Sequence, residues 1–209
     1  MNNSRGTSRV WSLDVVRGAV MVLMAIDHVR VYSGVPAGGP TAGVFLTRWV
    51  THFCAPGFVF LAGTAAFLYG RKVADRRELS RYLVTRGLLL VALELTVVRL
   101  SWTFTPASLA APLAGVIWML GWCMVLMSLL VRLPIKAIAI FGLATILAQD
   151  VFGLLAGALP AGLAWVGQFV YTGGEVALGG VTVSMLYSFV PWVGVMAARY
   201  AFGVILLRE

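Results

Sequence analysis

The chain has 209 residues, of which 60% are hydrophobic and only 11% charged, whereas a soluble domain carries about 25% charged residues to cover its surface. The apolar residues form long runs that do not alternate with polar ones, which excludes a transmembrane β-barrel and points to helices crossing a hydrocarbon layer ~30 Å thick. The 16 basic residues against 8 acidic ones form no stripe with exposed aromatics, and no zinc or helix-turn-helix pattern is present, so nucleic acid is not an expected partner.

Six segments read as spans in chain order: residues 13–32, 46–69, 83–100, 113–131, 137–155 and 185–207. The expected fold class is therefore all-α, a polytopic transmembrane helix bundle of about six spans. The apolar run 18–26 is short enough to mimic a signal peptide, but Asp27-His28-Val29-Arg30 follows it instead of a small-residue cleavage site, so it reads as a retained first helix. Residues 156–184 are rich in glycine and are expected to form an interfacial loop, a re-entrant piece or a short extra helix. Gly173-Gly174 and Gly179-Gly180 fit no phosphate-binding spacing and read as turns. Cys54 and Cys123 fall inside spans, and two cysteines do not make a disulfide framework. His52 and Cys54 lack the partners a metal site needs, so no metal is expected.

The basic residues set the orientation. The N-terminus carries Arg5, Arg9 and Arg17; the second connection carries Arg71, Lys72, Arg76, Arg77, Arg81 and Arg86; the fourth carries Arg132 and Lys136; the tail carries Arg208. Residues 101–112 and 156–184 hold no Lys or Arg. Cytoplasmic loops are the basic ones, which places both termini in the cytoplasm after an even number of crossings.

On that frame, Asp27, His28 and Arg30 lie near the outer end of the first helix, and Arg48 and His52 share a face of the second at i and i+4. Glu94 and Arg99 lie near the outer end of the third. Charges at membrane depth pair with one another or line a polar cavity, and such a set marks a functional site by default. The competing reading is that they are ion pairs holding the bundle together, with Asp27 and Glu94 neutralising arginines. A histidine can accept and return a proton near neutral pH, and both histidines of the chain belong to this set. Arg17 and His28 are eleven residues apart, so they point the same way on a helix and are separated by ~16 Å along its axis. A cation at one end and a proton acceptor at depth suit a long ligand with an anionic head. Asp150 reads as an interfacial charge, and Arg199 as a side chain that snorkels to the cytoplasmic surface.

Ser12-Leu13-Asp14-Val15-Val16-Arg17-Gly18, running into Met24-Ala25-Ile26-Asp27-His28-Val29-Arg30, resembles the opening helix of the bacterial heparan-alpha-glucosaminide N-acetyltransferase catalytic-domain family. Thr51-His52-Phe53-Cys54-Ala55-Pro56 with Phe60-Leu61-Ala62-Gly63-Thr64 is similar to its second helix. Thr85-Arg86-Gly87 with Leu93-Glu94-Leu95, and Pro191-Trp192-Val193-Gly194-Val195-Met196, extend the resemblance over nearly the whole chain. It implies one transmembrane acyltransferase domain over residues 1–209, truncated at the C-terminus relative to a family whose members usually continue with further helices. It also implies the inner membrane as location and transfer of an acetyl group from cytoplasmic acetyl-CoA to a sugar or glycan at the outer face. The spacing of Arg17 and His28, ten residues between them, also resembles the wider superfamily of membrane O-acyltransferases that modify surface glycans; His28 then matches that superfamily's essential histidine, with Asp27 or Glu94 orienting or balancing it. Arg17, with Asp14 at i−3, would hold the donor's phosphates, and Arg30, Arg48, His52 and Arg99 would shape the acceptor side. The implied partners are the lipid bilayer, the acyl-CoA and the acceptor; a homo-oligomer is compatible with the class. A transporter or proton relay built on the same charged cluster, or a subunit whose charges only pair helices, stays open on the residues alone.

Overall fold

The computed structural model describes residues 11–35, 41–73, 75–178 and 180–206. Arg5, Arg9, Arg208 and the last residue of the sixth predicted span lie outside them. The chain divides into two compact units, Met1–Leu61 and Ala62–Glu209.

In the first unit, α1 (Trp11–Tyr32) is a single unbroken helix of 22 residues that packs on α2 (Ala42–Thr51). The Thr41 hydroxyl accepts from the Val44 N–H, 3.4 Å away, and so starts α2 in the usual N-cap manner. The second predicted span is interrupted: α2 stops at Thr51, and α3 (Cys54–Gly70) begins after a two-residue break. Pro56 stands in the first turn of α3, where its missing N–H costs nothing. Gly57 lets this turn approach α1, since a Cβ there would lie 2.7 Å from a Val20 methyl.

The second unit is built on α4 (Arg76–Leu93), α6 (Val116–Leu130), α7 (Ile135–Leu147) and α10 (Val190–Leu206). Asp75 caps α4 by accepting the Arg77 N–H at 2.9 Å. The third helix is longer than predicted, because α4 runs through a π-helical segment at Glu94–Val98 into α5 (Arg99–Thr103). Phe104 ends it in the left-handed region, at φ 53°. α4 packs on α6, and α10 packs on α7 and α6. Glycines set these crossings: a Cβ at Gly87 would sit 2.6 Å from the Gly121 carbonyl oxygen, and one at Gly121 would sit 2.6 Å from that of Gly87. Close approach of two backbones at small residues gives dispersion contact without relying on water. Leu83, Met119, Met127, Ile138 and Met196 fill the space between the helices.

The expected all-α architecture is corrected here. The fold is mostly helical, but a three-stranded sheet of order β1-β3-β2 accompanies the helices. β1 (Leu113–Ala114) pairs in parallel with β3 (Val181–Met185), which pairs antiparallel with β2 (Gly174–Leu178). The segment read as loop, re-entrant piece or extra helix therefore holds a short helix, α9 (Ala164–Gly167), a π turn at Gln168–Thr172 and this hairpin. Phe169 carries the π turn onto the core, with its ring 5.2 Å from that of Trp118 on α6 and 5.6 Å from that of Phe189. The fifth predicted span is bent by 62° between α7 and α8 (Gln149–Gly157). Ala148, at ψ 18°, interrupts the helix there, and the Tyr171 hydroxyl donates to the Gln149 carbonyl at 2.6 Å.

Helix occurs in each of the six predicted segments. Among the described residues, one helix, Ala42–Gly70 taken through its break, can cross a membrane by length and composition, and the bent α7–α8 pair is a second if counted as one broken span. Val116–Leu130 and Val190–Ile205 are apolar but shorter.

The substitution Gly121→Ala is expected to force the two backbones apart and to lower stability by about 1–3 kcal/mol. Gly18→Ala, with nothing within 4 Å of the added carbon, should leave the unfolding temperature of the purified protein unchanged or slightly raised.

Candidate functional site

The first unit gathers its polar side chains around one carboxylate oxygen. Arg30, one turn on in α1, donates to Asp27 Oδ1 from Nη2 at 3.1 Å and from Nε at 3.3 Å. α2 contributes two further donors from the same face, Arg48 Nη1 at 3.4 Å and the Thr51 hydroxyl at 3.0 Å. The Arg30 side chain is only 9% exposed, so its charge relies on Asp27 and on the Val35 carbonyl, to which Nη1 donates at 2.9 Å. Two guanidinium groups against one carboxylate leave the cluster cationic. That excess favours an anion or an electron-rich carbonyl beside it.

His28 adjoins this cluster in sequence and is half-buried. Its Nδ1 lies 2.7 Å from the Met24 carbonyl oxygen. A carbonyl can only accept, so Nδ1 carries the proton and Nε2 is the basic nitrogen of the neutral ring. Because α1 is unbroken, the eleven-residue spacing holds: Arg17 lies on the same side of the helix, ~16 Å along the axis. Arg17 is 53% exposed and bonds Asp14 at 3.2 Å, the i−3 relation seen in the sequence.

His52 is placed differently from Arg48. It is the C-cap of α2, its N–H donates to the Arg48 carbonyl at 3.0 Å, and its side chain is exposed at the break before α3. The break thus divides the i, i+4 pair: Arg48 is turned to Asp27 and His52 to the surface.

Glu94 and Arg99 lie in the second unit, each with partners of its own. Glu94 is 5% exposed and opens the π segment. Its carboxylate accepts backbone N–H groups of Trp118, Gly115 and Ile117, the donors that the start of α6 leaves without helical partners. Gly115 makes room for it, since a Cβ there would collide with Oε1. Arg99 Nε donates to the Ser108 carbonyl at 3.2 Å and fastens the turn after α5.

One participant, Thr51, carries no role in the sequence reading, and one residue, Arg199, is placed differently from it. Thr51 is 4% exposed and bonds Asp27; a threonine three residues after an arginine of the cluster was the available signal. Arg199 does not snorkel. It is 5% exposed, its Nε donates to the Thr64 hydroxyl at 2.7 Å, and its guanidinium stands 5.2 Å from the Phe202 ring centroid. Among the described residues, no three His, Cys, Asp or Glu side chains gather as a metal site would require.

The architecture and this polar set define a mostly helical protein with at least one apolar, span-length helix and charged side chains bonded to one another on its first two helices. The sequence profile of the heparan-alpha-glucosaminide N-acetyltransferase catalytic domain matches residues 9–209. The chain belongs to that family, a membrane-associated family of acetyltransferases. Comparison with curated proteins and comparison with solved structures gave no match.

Removing the Glu94 carboxylate strands the N–H groups at the start of α6. Glu94→Ala is expected to cost about 1–3 kcal/mol for buried donors left unsatisfied, with Glu94→Gln, which keeps one acceptor oxygen, recovering part of the loss in chemical unfolding of the purified protein.

Proposed function

We propose that the chain is an integral membrane acetyltransferase that moves an acetyl group from cytoplasmic acetyl-CoA to a sugar or glycan acceptor at the outer face. In this reading the bundle crosses the inner membrane six times with both termini in the cytoplasm. Family membership supports the reaction class, and the alternation of basic and uncharged connections supports the orientation. The many large apolar side chains left exposed, Leu147 at 82% and Leu154 at 75% among them, suit lipid contact.

The observation that carries the chemistry is the bond from His28 Nδ1–H to the Met24 carbonyl. With the ring proton on Nδ1, Nε2 is the nitrogen that takes the proton from an acceptor hydroxyl or amine as that atom attacks the thioester carbonyl. The new C–O or C–N bond forms, the C–S bond breaks, and the imidazolium returns the proton to the leaving thiolate. A covalent route, in which Nε2 itself takes the acetyl group and then passes it on, uses the same nitrogen. Arg30 and Arg48 supply positive charge to the oxygen that becomes anionic during attack, and Asp27 acts as their positioning residue. Arg17, steadied by Asp14, serves the donor's phosphates. His52 contributes at the exposed edge of the acceptor side, while Glu94 and Arg99 position the elements of the second unit.

His28→Ala should lower acetyl transfer from labelled acetyl-CoA to an amino sugar by about 10²–10⁴-fold, with the unfolding temperature and acetyl-CoA binding retained. Full transfer by the folded variant would remove His28 from the reaction. A wild-type protein that binds no acetyl-CoA would favour an ion or proton relay through the same cluster.

A further inference from the structure

One end of the second unit holds two cavities that share Asp75 and Arg76 as walls. The first, of about 290 Å³, lies among α3, the start of α4, the α6–α7 turn and α10, with Arg71 and Arg76 on its rim and Leu79, Ile138 and Tyr200 deeper. The second, of about 570 Å³, is lined by Asp75, Arg76, Arg77 and Arg132. Four guanidinium groups therefore surround this space with one carboxylate.

Basic residues in a cytoplasmic connection need no ligand to explain their charge. Their anchoring does. Arg76 Nη1 donates to two backbone carbonyls, Arg132 at 3.2 Å and Leu133 at 2.8 Å. Arg132 Nη2 donates to the Ser80 hydroxyl at 3.1 Å, and that hydroxyl donates to the Ser128 carbonyl at 2.7 Å in the buried contact of α4 with α6. Two arginines are thus held across the α4 start and the α6–α7 turn by acceptors that carry no charge. Each guanidinium presents five N–H donors in a planar fork, and these bonds occupy only part of either fork. The one carboxylate, Asp75, accepts the Arg77 backbone N–H as the helix cap, and among the described residues no ion pair joins it to a guanidinium. A flexible loop that merely repels the wrong side of a membrane has no use for forks fixed on a cavity wall, which costs side-chain entropy.

We propose that these cavities form a binding site for a phosphate-bearing ligand. Phosphate oxygens accept the remaining fork donors of Arg76 and Arg132, a geometry that suits guanidinium better than ammonium. Arg71 adds a third cation at the mouth, and the ligand's less polar part lies along Leu79, Ile138 and the Tyr200 ring. A phospholipid headgroup and a nucleotide share this chemistry. The site lies wholly in the second unit and does not rest on the role of His28.

The test uses the full chain. Binding of ADP is titrated by calorimetry in detergent, and thermal stability is compared in nanodiscs of phosphatidylglycerol and of phosphatidylcholine. At least one probe should act on the wild type, and Arg71→Ala and Arg132→Gln should each weaken that effect about tenfold. Arg71 takes no part in the anchoring bonds, so its variant remains informative if Arg132→Gln fails to fold. An ADP response identifies a soluble ligand, and a response confined to phosphatidylglycerol identifies a headgroup; either supports the site. No response to either probe, or equal responses in wild type and Arg71→Ala, overturns it.

Discussion

Asp27 Oδ1 is the atom on which the first unit turns. It lies on α1 and receives two donors from α2, Arg48 and Thr51, besides the fork of Arg30 from its own helix. In apolar surroundings a guanidinium without a counter-charge is costly, so the sole carboxylate of this set fixes how α1 and α2 meet. The arrangement leaves excess positive charge at Asp27, while the ring of His28, the next residue, is oriented by a backbone carbonyl and so does not draw on Asp27 for its tautomer.

The second unit meets the same constraint by other means. Its buried acid, Glu94, is balanced by the N–H groups that begin α6 rather than by an arginine. Its buried cation, Arg199, is held by a threonine hydroxyl and an aromatic ring. Helix contacts there depend on Gly87, Gly121 and Gly142, where a neighbouring backbone leaves no room for a side chain, and on Gly194, where the Thr145 side chain leaves none. Glu94 and the Arg199 Nε are thus bonded within their own unit, and its helices touch through small residues.

Much of this was legible beforehand. Long apolar runs located the helices, and the Asp14–Arg17 relation at i−3 is the one the structure shows. The motifs of the first two helices pointed to the family that the profile match bears out. What could not be read depended on partners distant in sequence. The strands are short, and β1 is two residues whose pairing with β3 spans some seventy positions; no local periodicity signals it. Gly180 does occupy a positive φ of 85°, as a turn glycine should, but the alternation Val181-Thr182-Val183 was too brief to outweigh the helical context. Pro56 is a usable hint that a helix starts near Cys54, since proline is tolerated in a first turn, and so of the break after Thr51. Glu94 was assigned to a histidine or an arginine because backbone donors leave no mark in sequence beyond the small residue, Gly115, that admits the carboxylate.

The central claim is that an acetyl group passes across the membrane from a donor on the basic side to an acceptor on the other. The most direct measurement places the protein in sealed liposomes of known orientation, with labelled acetyl-CoA on the side of Arg71–Arg86 and an amino sugar trapped on the opposite side. The account predicts labelled sugar in the compartment that never held donor. Label found only on sugar sharing the donor's compartment, or no labelled sugar with intact, folded protein, would contradict it.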